Sequence, residues 1–142
     1  MTAEPGVRGP AGRRLLLWAP VLAMLAVQVV LSSRSQLPPL PLLHHLPGSD
    51  KIVHAGWFFL LGLLAYRAAR SGEGWPRRRT TLVLILGALL WGISDEAHQF
   101  FVPGRDVEAA DVAADVAGAA VAAVIGEPLL RRLRLVAAPT PS

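Results

Sequence analysis

The chain contains no cysteine. Disulfides, thiolate nucleophiles and cysteine-type zinc sites are therefore excluded, and the redox compartment is left open. Charge is scarce too: 17% of residues are charged, against 53% hydrophobic. There is no glycine-rich phosphate loop, no internal repeat and no familiar catalytic motif. What remains is a chain of 142 residues, one domain's worth, with mean hydropathy +0.45. A soluble helical domain of this composition would leave apolar runs with no polar face to meet water. An integral membrane protein is the class that fits.

The apolar runs are Leu15 to Leu31, Ile52 to Tyr66, Thr80 to Ser94 and Val112 to Ile125. The first is longer than a signal-peptide core and lacks an Ala-x-Ala cleavage site, so it is read as a retained helix. The connector "LPPLPLLHHLPGSD" carries Pro38, Pro39, Pro41 and Pro47, which forbid a regular helix there. The expected architecture is all-α: a polytopic membrane bundle of four transmembrane helices. Residues 1–14 precede it, residues 15–130 form it, and residues 131–142 make a basic tail expected to be disordered at its end.

A pI near 11 could suggest nucleic acid, but the arginines sit in short clusters beside apolar runs. Arg8, Arg13 and Arg14, then Arg67, Arg70 and Arg77 to Arg79, then Arg131, Arg132 and Arg134 fall on one side of the spans. The other side holds Arg34, Lys51 and Arg105. The positive-inside rule then places both termini in the cytoplasm, in a multi-pass protein of the cell membrane whose partner is the lipid bilayer and not nucleic acid.

The acids gather on the opposite, outer side: Asp50, Asp95, Glu96, Asp106, Glu108, Asp111 and Asp115. Length puts several of them inside the layer. A spanning helix needs about 20 residues at about 1.5 Å each. The stretch between Asp115 and Glu127 is too short, so the fourth span should start near Asp106. The third should continue towards Val102, and the second should begin around Asp50 with Ser49 as N-cap. The inner halves read as free of ionisable groups, which argues against a proton pathway.

Intramembrane carboxylates cost about 2.5–3.5 kcal/mol each on insertion scales, so they must face the interior and find partners. Helical spacing gives Asp50 and His54 one face, and it does the same for Asp95, His98 and Gln99. Glu108, Asp111 and Asp115 line up above a row of small residues, Ala114, Gly118 and Ala122, suited to close helix packing. The blander readings are an N-terminal helix-dipole role for Glu108 and Asp111, snorkelling for Lys51 and an ion pair to Asp106 or Glu108 for Arg105. His44, His45 and His98 read as loop or interface residues, and Trp18, Trp57, Trp75 and Trp91 as packing or interfacial anchors.

These groups suit an enzyme acting on an envelope or lipid-linked substrate. His54 would be the general base, oriented by Asp50, with Asp95 and Glu96 completing the catalytic set. Lys51, Gln99, Arg105, Asp111 and Asp115 would bind, Arg105 taking a phosphate. Asp95, Glu96, Asp111 and Asp115 form an oxygen-rich set that would suit a divalent cation, Mn²⁺, Mg²⁺ or Ca²⁺. The same carboxylates could instead share protons or pair with Arg105 and Lys51. The competing reading is a binding protein that holds a polar head group without turning it over.

Two segments, "SDKIVHAGWFFLLGLL" and "SDEAHQFFVPGRDVEAADVAADVAG", carry a resemblance. Their pattern is Asp50-Lys51-x-x-His54, Asp95-Glu96-x-x-Gln99, Pro103-x-Arg105, and Asp111 followed by Asp115-x-x-Gly118. Over residues 48–126 the chain resembles the VanZ-like membrane proteins, whose founding member is associated with teicoplanin resistance. That resemblance implies a bacterial cell-envelope membrane protein and, for the binding reading, a wall-precursor head group or a glycopeptide as ligand, with shielding against glycopeptides as one function. The family usually carries asparagine where this chain has Asp115, a departure that adds a negative charge to the pocket.

Overall fold

A computed structural model describes residues 9–35 and 48–136. The proline-rich connector, with Pro38 to Pro47, His44 and His45, and the end of the tail both lie outside the described residues. Four helices make up the fold: α1 (Pro10–Ser32), α2 (Ser49–Arg67), α3 (Arg77–Gln99) and α4 (Ala109–Arg132). A turn of π-helix, Ala68–Gly72, prolongs α2. Each of the four is long and apolar enough to cross a membrane.

The boundaries differ from expectation in ways the backbone explains. The N-cap of α2 is Gly48, not Ser49, with φ 72°, a left-handed conformation that glycine adopts without strain. α3 stops at Gln99, short of Val102, where the chain turns towards Gly104. α4 begins only at Ala109, with Glu108 as N-cap, and reaches its length by running on through Pro128 to Arg132. The basic loop after α2 is partly the π turn, which lets Arg70 reach back to α4.

The helices alternate in direction. The start of α1 lies against the end of α2, where Arg14 Nε donates to Gly72 O at 3.2 Å. The end of α1 lies against the end of α3, where Ser33 Oγ and His98 Nε2 stand 3.0 Å apart. α2 and α4 run parallel and form the tightest pair. A Cβ on Gly118 would sit 2.1 Å from Ala55 O, so the two backbones are in direct contact there. The packed row continues along α4 through Ala122 against Gly62 and Gly126 against the Tyr66 ring. It therefore extends from Gly118 towards Gly126, whereas Ala114 stays half-buried.

Val21, Phe58, Leu61, Ala88 and Ala119 form the core, and large apolar side chains such as Leu22, Leu60, Leu90 and Val124 point outward on all four helices. That inversion of the soluble pattern is what a bilayer solvent requires. α1 is the most peripheral, with 17% of its span buried against 39% for α4.

Charges on α3 run against its own dipole. Arg77 to Arg79 open it and Glu96 sits in its last turn, each at the less favourable end. Local preference has been overridden at both ends, as happens where topology or a site sets the residue type.

Candidate functional site

Two polar layers close the ends of the bundle. The acidic layer lies where α2 and α4 begin and α1 and α3 end. It divides into two linked groups.

The first group joins α2 to α4. Lys51 Nζ sits among three carboxylates: Asp50 at 2.5 Å, Asp111 at 2.8 Å, and Glu108 in close contact. One turn deeper, His54 Nδ1 stands 2.9 Å from Asp115 Oδ1, while its Nε2 faces Asp111 Oδ2 at 3.7 Å, too far for a hydrogen bond. Asp115 is 2% exposed. Its carboxylate fits because the facing position on α3 is Gly92, where a Cβ would come within 3.0 Å of Asp115 Oδ2.

The second group joins α1 to α3. Asp95 Oδ2 accepts from Gln99 Nε2 at 3.0 Å and from Gln28 Nε2 of α1 at 3.4 Å. Each amide oxygen is in turn occupied. Trp57 Nε1 donates to Gln28 Oε1 at 3.2 Å, and Arg105 donates to Gln99 Oε1 through Nε and Nη2. All donors thus run towards Asp95, which fixes both amide orientations by the network. Glu96 is buried, and its Oε2 accepts the backbone N–H of Glu108 at 2.6 Å, tying α3 to the N-cap of α4.

A cavity of about 100 Å³ lies between the groups, bounded by Gln28, Ser32, His54, Trp57, Asp95, Gln99 and Arg105. Ser32 is 3% exposed, and its hydroxyl has no hydrogen-bond partner among the described residues.

Several sequence assignments move. His54 is held by Asp115 and not by Asp50, because Asp50 is drawn to Lys51 and is half exposed. His98 turns away from Asp95 and Gln99 to Ser33, on the exposed side of α3. Arg105 binds Gln99 rather than Asp106 or Glu108. The four carboxylates grouped as a cation set each take a different partner: Asp95 the amides, Glu96 a backbone N–H, Asp111 Lys51, and Asp115 His54. The carboxylate oxygens that do cluster, within 4.8 Å of one another, belong to Asp50, Glu108 and Asp111, and the Lys51 ammonium stands among them.

Sequence reasoning missed Gln28 and Ser32. A lone amide inside "LAVQVVL" was the available signal. It also missed the layer at the basic end. There Glu127, 4% exposed, accepts from Tyr66 Oη at 2.6 Å, from Arg70 Nε at 2.9 Å and from Arg70 Nη2 at 3.0 Å, with Arg131 in close contact. The half of α4 towards the basic end is therefore not free of ionisable groups. The α4 face between Asp115 and Glu127 still offers only Gly118, Ala119, Ala122, Ala123 and Gly126, which carry no proton relay.

Comparison with known proteins gives the family. The profile of the VanZ/LLP1 family matches residues 15–131. The chain belongs to the VanZ/LLP1 family. The match takes in most of α1, beyond the segments that carried the resemblance. This VanZ-like chain is a multi-pass membrane protein. No curated protein and no solved structure matches it.

Proposed function

We propose that the acidic end faces outward from a bacterial cell membrane and receives the polar head group of a lipid-linked or envelope substrate, on which His54 acts as general base. The pairing of His54 with Asp115 carries this reading. With Nδ1–H donated to the carboxylate, Nε2 keeps its lone pair, and the ring belongs to a residue that lines the cavity, the arrangement of an imidazole that accepts a proton. The partnerless Ser32 hydroxyl and the Arg105 guanidinium offer a bound head group further polar contacts. No step in this reading requires a cation.

The alternative is a binding or shielding protein, such as one contributing to glycopeptide resistance. The network on Asp95 favours it, since two amides and an arginine recognise hydrogen-bonding patterns and transfer no proton. Incubation of the reconstituted protein with bacterial envelope lipids, read by mass spectrometry, separates the two. Under the catalytic reading one lipid species is consumed, and His54→Gln abolishes turnover while the species is still retained. Under the binding reading nothing is consumed, and Gln28→Leu and Gln99→Leu weaken retention in steps. If the wild type neither consumes nor retains any species, both readings fail.

Orientation rests on the clustering of arginines at the other end. In this cysteine-free chain, Ser33→Cys is expected to react with an impermeant maleimide on intact cells, and Ser71→Cys only after lysis. Labelling of position 71 on intact cells would reverse the assignment.

A further inference from the structure

The basic end carries more arginine than its acids can neutralise. Among the described residues its acids are Glu73 and Glu127. Glu73 pairs with Arg14 at 3.5 Å, and Glu127 is taken by Arg70 and Arg131. Arg13 of α1 and Arg67 of α2 have no carboxylate within ion-pairing distance among the described residues, yet they line one groove of about 320 Å³. Its other walls are Leu16, Leu17, Ser71 and Leu135.

The groove is built. Ser71 Oγ donates to Leu135 O at 3.0 Å and so draws the segment after α4 across as a wall. The Nε of Arg67 is buried and has no hydrogen-bond partner among the described residues, so this lining guanidinium is left with an unmet donor. Two guanidinium groups beside three leucines match one chemistry: a negatively charged phosphodiester with acyl chains attached. A free anion would leave the leucines uncovered, and a zwitterionic head group would bring a cation against the arginines.

We propose that this groove binds the phosphodiester head group of an anionic membrane phospholipid, which bridges Arg13 of α1 to Arg67 of α2. α1 is the least buried span, so a lipid held between the two helices would supply contact that the protein itself does not. The site lies at the opposite end from the His54 cavity and does not depend on the function assigned there.

The test uses the purified full chain, with phosphatidylglycerol or phosphatidylcholine added and retention read by native mass spectrometry. Arg13→Gln and Arg67→Gln are each expected to weaken phosphatidylglycerol retention about fivefold. Phosphatidylcholine should be unaffected, and the exposed Arg132→Gln should stay within about twofold of wild type. Arg13 is exposed in the first turn of α1, so its variant can be read even if Arg67→Gln misfolds. Equal losses in all three variants would mean unselective attraction to positive charge and would overturn the site. So would full retention by Arg13→Gln, or equal displacement of phosphatidylglycerol by inorganic phosphate alone at the same concentration.

Discussion

His54→Ala is expected to destabilise the folded protein by about 3–5 kcal/mol, the usual cost of removing one partner from a buried charged pair. Asp115 is 2% exposed, and His54 is its only hydrogen-bond partner among the described residues. Alanine leaves a buried carboxyl group facing Gly92 and the α2 backbone, where neither offers a donor side chain. The double variant His54→Ala/Asp115→Leu should recover most of the loss, because an apolar pair carries no desolvation penalty. Unfolding in detergent, followed by tryptophan fluorescence, gives the four corners of a double-mutant cycle. Additive single losses would show that the two side chains do not act as a unit. The catalytic reading of His54 would then lose its orienting carboxylate.

Gly118→Ala is expected to cost about 3 kcal/mol or more, at the upper end for overpacking, and to lower the yield of folded protein. Alanine in place of glycine inside a helix would by itself gain about 1 kcal/mol. Against that, the added Cβ would lie 2.1 Å from Ala55 O and 2.9 Å from Phe59 N, both backbone atoms that cannot swing aside. α2 and α4 must separate instead. His54 and Asp115 sit within one turn of this contact, so their hydrogen bond should lengthen as the helices part. Gly87→Ala is the control: no atom lies within 4 Å of its added Cβ, and it should be neutral or slightly stabilising. Equal stability of the two variants would show that the α2–α4 contact is looser than described.

What the sequence made legible follows from periodicity within single helices. The four spans show as apolar runs, and the gathering of acids at one end shows as their place at the margins of those runs. Partners across helices do not show. Asp50 and His54 share a face by spacing, but Lys51 is one residue from Asp50 and captures it, while Asp115 reaches His54 from a helix whose rotation the sequence does not display. The fourth apolar run ends at Ile125, so Glu127 reads as the margin of a span. α4 nevertheless continues through Pro128, a proline inside the helix, to Arg132, which brings Glu127 inside. Gln28 was hidden by the run around it, since one amide hardly changes a hydropathy average. The Lys51 ammonium among Asp50, Glu108 and Asp111 also has no sequence signature, because those acids come from two segments far apart in the chain.

The pairing of α2 with α4 bears on how the chain is made. His54 and Asp115 are separated by 61 positions. At about 5–20 residues per second, ribosomes need roughly 3–12 s to cover that interval. Through that time α2 has been synthesised with Lys51 and His54 while the α4 carboxylates that partner them, Asp111 and Asp115, do not yet exist. Such a segment enters lipid only with difficulty, and it would be a natural substrate for insertion factors that hold polar helices at the translocon. A newborn chain truncated before α4 would therefore be a target for membrane proteases, and the arrival of Asp111 and Asp115 would mark the point at which it escapes them.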